Sequence, residues 1–334
     1  MSIAPDYAAA EKILELRNLT KWFPLKYGVT DYAAHKPKQY IKAVNHVNLD
    51  IYQGENLGLV GESGCGKSTL ARTIIRLYEP TEGTIFLRGK DISHIKGKAL
   101  RQERPSMQMI FQDPYSSLNP RMSVYEILDE MLQVHRMVPK NRREARIAEI
   151  LEMCGLGIET AERFPGEFSG GQRQRIGIAR ALAVNPRVLI ADEPVSALDV
   201  SIQAQIINQL GMLQETLGLT VLFISHDLRV VEHITHRVAV MYLGSIVELG
   251  PTPEVFAHPR HPYTKVLTKA APVLDPTNRV REYAIDGEPP SPSHIPEGCF
   301  FHPRCTLCKD ICKTAVPELR ELAPGCFTAC HFPL

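Results

Sequence analysis

Gly61-Glu62-Ser63-Gly64-Cys65-Gly66-Lys67-Ser68 is the stretch that decides the reading of this chain. It has the spacing of a phosphate-binding loop, in which glycines let successive backbone N–H groups face phosphate oxygens at a helix N-terminus. Lys67 is placed to reach the β- and γ-phosphates of ATP or GTP, Ser68 to ligate Mg²⁺, and Thr69 to support the phosphate end. The setting agrees. Glu55–Val60 reads as a short apolar strand running into the loop, and Lys67–Leu77 carries helical spacing.

Outward from the loop, Ile13–Phe23 and Val44–Tyr52 alternate as strands do, with a polar, aromatic-rich insertion between them at Lys26–Tyr40. Further strands are expected at Gly83–Leu87 and Gln108–Phe111. Ser123–Leu156 has helical periodicity and a basic patch at Lys140–Arg146, which predicts an inserted helical subdomain. A helix over Gly170–Val184, a buried strand at Val188–Ala191, a helix over Val200–Leu217 and a buried strand at Thr220–Ile224 follow, an alternation that argues for a largely parallel sheet. Prolines crowd the chain beyond Gly250, so a nucleotide-binding domain over 1–250, with its helical insert at about 113–166, and an extension over 251–334 are expected. That division suits 334 residues, because a single core rarely grows past roughly 250 to 300.

Composition narrows the function. A formal net charge of +1 gives no long-range field for nucleic acid or anionic lipid, so no nucleic-acid partner is expected. Asp6, Glu11 and Lys12 interrupt any signal-peptide pattern, and the longest apolar runs fall far short of the roughly 20 residues that cross a bilayer. Val188-Leu189-Ile190-Ala191-Asp192-Glu193 ends a buried strand in two carboxylates: Asp192 suits the Mg²⁺ shell and Glu193 the polarising of an attacking water, although a strand-end acidic turn has the same letters. His226, after the strand Val221–Ser225, is either a site residue or an ordinary histidine.

Phe168-Ser169-Gly170-Gly171-Gln172, followed by Arg173-Gln174-Arg175, resembles the signature motif of the ABC ATPases, with Phe168 where leucine is commoner. Gln112 resembles the family's Q-loop, Ser196-Ala197-Leu198-Asp199 its D-loop and His226 its switch histidine, so the resemblance covers residues 13 to 250. It implies a mixed sheet core with an antiparallel β-subdomain and a helical insert. It also implies that two such domains meet head to tail, with Ser169, Gly170, Gly171, Gln172 and Asp199 of one completing the ATP site of the other. Catalysis would fall to Glu193, His226 and Gln112, and Mg²⁺ to Ser68, Gln112 and Asp192. The adenine-stacking aromatic matches Phe23 first, with Trp22 or a ring from the insertion as alternatives.

Glu193–Gln205 and His261-Pro262-Tyr263-Thr264 are similar to the second of the paired ATPases of oligopeptide and dipeptide permeases. The resemblance implies a non-identical ATPase partner, two transmembrane permease subunits, an extracytoplasmic peptide-binding protein, and a peripheral place on the cytoplasmic face of the inner membrane. A relative carrying nickel, opines or antimicrobial peptides would read nearly the same, and a non-transport ABC ATPase is a further alternative. Cys299-x5-Cys305-x6-Cys312-x17-Cys330 resembles the family's iron–sulfur pattern and implies a [4Fe-4S] cluster, whereas spacing alone suits zinc equally. Cys308 and Cys326 are then spare, and Cys65 and Cys154 read as small buried residues.

Overall fold

The computed structural model describes residues 10–25, 38–196, 198–270 and 287–334. Most of the Lys26–Tyr40 insertion, the first nine residues and Ala197 lie outside them.

Among the described residues two sheets make the frame. The first is antiparallel, in the order β2 (Tyr40–Tyr52), β1 (Lys12–Pro24), β4 (Glu82–Leu87), β5 (Lys90–Asp91). The second has eight strands, ordered β11 (Arg320–Ala323), β12 (Cys326–Thr328), β10 (Ser245–Pro251), β9 (Arg237–Tyr242), β3 (Asn56–Val60), β8 (Thr220–Ile224), β7 (Val188–Asp192), β6 (Met107–Ile110). Strands β9, β3, β8, β7 and β6 run parallel, while β10, β12 and β11 are antiparallel, so the sheet is mixed.

The parallel strands are buried on both faces, and their side chains divide with the period of two that a pleated strand imposes. Leu57, Leu59, Ile190, Leu222, Ile224, Ala239 and Met241 face the antiparallel sheet, packing with Leu14, Leu16, Val47 and Ile51. The helix Lys67–Ile74 sits in that layer through Leu70, Ala71 and Ile74. Leu189, Ala191, Val221, Phe223, Val238 and Val240 face the other way, toward Ile176, Ile178 and Leu182 of the helix Gly170–Leu182. Each face is thus a separate core, and the phosphate-binding loop leaves β3 at the boundary between them.

The stretch expected to be helical over Ser123–Leu156 is two helices, Val124–Val134 and Arg143–Met153. The break falls where Arg136 takes φ 54 and Pro139 follows, neither compatible with a continuing helix. The first helix begins at a capping box: Ser123 Oγ accepts from Glu126 N at 3.2 Å, and the Glu126 carboxylate accepts from Ser123 N at 2.7 Å. No helix among the described residues is long and apolar enough to cross a membrane.

Candidate nucleotide site

The loop between β3 and the helix Lys67–Ile74 depends on glycine. Gly61, Gly64 and Gly66 have φ of 152, 77 and 110. A Cβ on Gly66 would lie 2.0 Å from Ala43 O, and one on Gly61 2.2 Å from Met241 O. Lys67, 5% exposed, donates from Nζ to Gly61 O at 2.7 Å and Glu62 O at 2.9 Å, which fixes its ammonium across the loop. Cys65 turns its side chain inward: it is buried, burial pushes its thiol up, and only its backbone belongs to the loop face.

The carboxylates come from the end of β7. Asp192 is fully buried and its Oδ1 accepts from Ser68 Oγ at 2.8 Å, which joins the end of β7 to the start of the helix Lys67–Ile74. Burial pushes the Asp192 carboxyl above its usual range, and Oδ2 is buried with no hydrogen-bond partner. A buried carboxylate oxygen left without a donor is costly. A cation coordinated here, directly or through its waters, would offset that cost, so the residues fit Mg²⁺.

Glu193 takes φ 45, a left-handed conformation rare outside glycine, and its N–H donates to Ile224 O at 3.0 Å. This turn aims the side chain off the strand axis. Its Oε2 accepts from Gln112 Nε2 at 3.0 Å and lies 3.3 Å from His226 Nδ1. Gln112 follows β6 and His226 follows β8, so three neighbouring strand ends bring these groups to one point.

Together these groups line a groove of about 510 Å³: Ser63, Gly64, Gly66, Lys67, Ser68 and Thr69 form one wall, and Gln112, Glu193 and His226 another. Phe23 closes the far end with Ile41, Ala43 and Pro292. The Phe23 ring is braced edge-on by Tyr78 at 5.3 Å and covered by Lys21 Nζ at 4.9 Å. Trp22 points elsewhere, donating from Nε1 to Asn45 Oδ1 at 2.8 Å, and is a packing residue.

The signature residues are not part of this groove. Ser169 and Gly170 are exposed, and Ser169 caps the helix Gly170–Leu182 in a capping box with Gln172. The Gln172 amide oxygen accepts from Ser169 N at 3.0 Å, so that side chain serves the helix start. A Cβ on Gly171 would meet Ile202 Cγ2 at 2.5 Å, which keeps the two helix starts close. Asp199 and Val200 are also exposed, with Val200 81% accessible. Within one chain the signature and D-loop residues form a second surface, separate from the loop.

In the tail, Cys299, Cys305, Cys312 and Cys330 line one small pocket with Phe301, His302 and His331. Burial pushes the Cys299 thiol up to about 11 and raises Cys305 and Cys330 as well. Cys308 and Cys326 are not in its lining. Among the described residues, no three His, Cys, Asp or Glu side chains converge closely enough to hold a single metal ion. This geometry gathers the four expected thiols around one pocket without forming a single-ion site among the described residues.

Spacing did not reveal that the tail reaches the nucleotide groove. Arg304 makes a two-pronged ion pair with Glu62, at 2.9 and 3.1 Å, and the Tyr263 hydroxyl accepts from Glu62 N at 2.9 Å. Pro292 O accepts from Lys42 N at 3.0 Å and sets Pro292 at the groove's rim. No local pattern signals contacts between residues about 200 positions apart.

The comparisons with known proteins agree with this geometry. The ABC transporter family matches residues 44–196, and the oligopeptide/dipeptide transporter C-terminal region matches residues 247–312. A solved dimer of the ATP-binding cassette MJ0796 in a post-hydrolysis state, bound to ADP and Pi, superposes with a TM-score of 0.61 at 30% identity, covering 72% of this chain and 98% of that one. The chain belongs to the ABC transporter family as an ATP-hydrolysing, ATP-binding subunit carrying the oligopeptide/dipeptide transporter C-terminal region. Within it, the chain is 51% identical to the oligopeptide transport ATP-binding protein AppF of Bacillus subtilis (strain 168), over 97% of this chain and 98% of that protein. It is 49% identical to a probable peptide ABC transporter ATP-binding protein, y4tS, of Sinorhizobium fredii, over 96% of this chain and 90% of that one.

Proposed function

We propose that the chain binds and hydrolyses MgATP to power a peptide importer, as one of two non-identical ATPases attached to two permease subunits at the inner face of the cell membrane. The observation that carries this reading is the meeting of Ser68 with Asp192, and of Gln112 and His226 with Glu193, on the walls of the loop's groove. Named relatives in oligopeptide and peptide transport, at about half identity over nearly the whole chain, support the cargo class. An extracytoplasmic peptide-binding protein would deliver that cargo.

In this reading the loop amides and Lys67 hold the phosphates, Ser68, Gln112 and Asp192 hold Mg²⁺, and Phe23 stacks on adenine. Bound Mg²⁺ neutralises charge on the transferring phosphoryl group. Glu193 polarises the attacking water, oriented by Gln112 and His226. The exposed Ser169 and Gly170, with Gly171 packed behind them against Ile202, put helix-start N–H groups where the γ-phosphate of a partner's site could meet them, with Asp199 beside that interface. ATP binding would then close the dimer, and residues 1–250 act as the engine while 251–334 form the extension.

The thiol pocket supports a [4Fe-4S] cluster as the tail's resident group. The observation behind this reading is that Cys299, Cys305, Cys312 and Cys330 share one pocket while Cys308 and Cys326 do not, and zinc on the same thiolates is the alternative. Anaerobic purification with iron and sulfide analysis tests it, and stoichiometric zinc without iron overturns it.

The transport reading is tested by reconstituting the chain with its partner ATPase and permeases in liposomes. Peptide-loaded binding protein should stimulate ATP hydrolysis and peptide should accumulate inside. Hydrolysis indifferent to peptide, with no uptake, would refute the peptide cargo.

A further inference from the structure

Glu62 lies within the phosphate-binding loop, yet its side chain faces away from the groove and toward the tail. Its carboxylate meets the planar fork of Arg304 at both oxygens, at 2.9 and 3.1 Å. The Arg304 side chain is only 6% exposed and that of Glu62 23%, so most of this pair is out of water. Paired donors on a carboxylate fix direction as well as distance, and an ion pair this buried is costly to break from one side.

A second contact holds the same residue by its backbone. The Tyr263 hydroxyl, fully buried, accepts from Glu62 N at 2.9 Å. That ring is itself immobilised, packed against Tyr242 at 4.7 Å and Phe301 at 5.4 Å, while Arg304 Nη1 donates to the Tyr242 hydroxyl at 3.4 Å. Tyr242 ends β9, the strand beside β3, so the frame that grips Glu62 is continuous with the sheet that launches the loop.

We infer that Arg304 and Tyr263 are positioning residues of the nucleotide site: by gripping Glu62 from behind they hold the phosphate-binding loop in the shape that receives the triphosphate. This rests on the groove being an ATP site. The loop needs such support because its own chain is rich in glycine, which has the most conformational freedom to lose on ordering. Neither residue touches the groove, so their effect must appear in affinity for nucleotide more than in the chemical step.

The experiment measures Kd for an N-methylanthraniloyl ATP fluorophore and thermal unfolding on the full chain, and KM and kcat on the same chain assembled with its partner ATPase and permeases, for each variant. Arg304→Gln should raise Kd and KM about tenfold while kcat at saturating ATP stays within about threefold. Tyr263→Phe, which keeps the ring and removes only the acceptor, should raise Kd about threefold. Arg304→Lys should recover part of the loss, since it keeps the charge without the fork. In a Glu62→Gln background, Arg304→Gln should add less than about twofold, because the two act through one contact. If Arg304→Gln fails to fold, Tyr263→Phe and Arg304→Lys still decide the matter. Variants that unfold at lower temperature yet keep Kd within twofold of the parent would show a mere tether and overturn the inference. A parent chain that does not bind the probe at all would instead refute the ATP site itself.

Discussion

Replacing Glu193 with glutamine tests the chemistry at the least structural cost. The side chain keeps its shape, and φ 45 is no worse for glutamine than for glutamate. Gln112 Nε2 at 3.0 Å can still donate to the remaining amide oxygen, so the turn at the end of β7 should hold. What disappears is the carboxylate that polarises water. A positioned general base contributes about 10² to 10⁴ in rate, or about 2.7 to 5.5 kcal/mol of barrier. The phosphate cradle is untouched, because Lys67 and the loop amides lie on the opposite wall. The affinity for ATP should therefore change by less than about threefold, and the variant should accumulate as an ATP-bound dimer. Phosphate release at saturating MgATP, measured with fluorescent-ATP titration and light scattering on the same samples, separates these terms. A kcat within tenfold of the parent would refute the assignment of Glu193. A matching fall in affinity would show that the residue supports binding and not the chemical step.

Gly66→Ala places a Cβ at φ 110 and 2.0 Å from Ala43 O, so the loop must move and ATP binding should weaken by at least about thirtyfold, the equivalent of about 2 kcal/mol of strain. Unchanged binding by calorimetry would contradict that account. Arg237→Met strands the carboxylate of Glu55, which is fully buried and held at 3.0 Å by Arg237, and should cost about 3–5 kcal/mol in urea unfolding. Adding Glu55→Gln should restore much of it. Burial pushes His236 below its usual range while its Nδ1 accepts from Asn56 N at 3.0 Å, so the unfolded chain gains the proton first. Stability should fall as pH drops below 6.5, by at most about 1.4 kcal/mol per pH unit from this residue, and His236→Asn should flatten that slope. A chain ended after residue 250 exposes the β10 edge and the ring of Tyr242 and should be recovered mainly as aggregate. A soluble monomer of unchanged melting temperature would show that the tail contributes little to the sheet.

What could be read in advance follows from how local each signal is. The helix Val200–Leu217 and the strand Thr220–Ile224 lie where their apolar spacing predicts, since their periods are set within a few residues. Four of the five parallel strands, β3, β6, β7 and β8, are legible because both faces are buried and their letters are mostly apolar, whereas no strand is expected from the sequence at β9. The groove was legible because its parts sit at strand ends that the parallel order forces together. By contrast, the break between Val124–Val134 and Arg143–Met153 hides in a stretch whose apolar residues keep helical phase on both sides. The antiparallel strands Arg320–Ala323 and Cys326–Thr328 are too short to show a period, and a cysteine-based reading of that segment draws attention away from its backbone. The side chains that grip Glu62 carry no local signature whatever.

The placing of the tail has a physical logic that joins fold to site. Strand β10 turns back antiparallel to β9 and would leave a row of unpaired backbone groups at the sheet's edge, a template for unwanted pairing. Strand β12 covers that edge through Glu248↔Thr328 and Leu249↔Phe327, and β11 outside it presents the exposed Arg320 and Glu321. Once β10 is covered from outside, Glu248 can be buried, and its carboxylate accepts from Arg260 N at 2.8 Å and His261 N at 2.9 Å. Those two bonds fix the start of the helix Pro262–Ala270, which carries Tyr263 to the amide of Glu62. The chain of contacts from the sheet edge to the phosphate-binding loop is therefore unbroken. Because Glu248, His261 and Tyr263 are themselves buried and packed, loosening the edge should be felt at the loop rather than absorbed on the way.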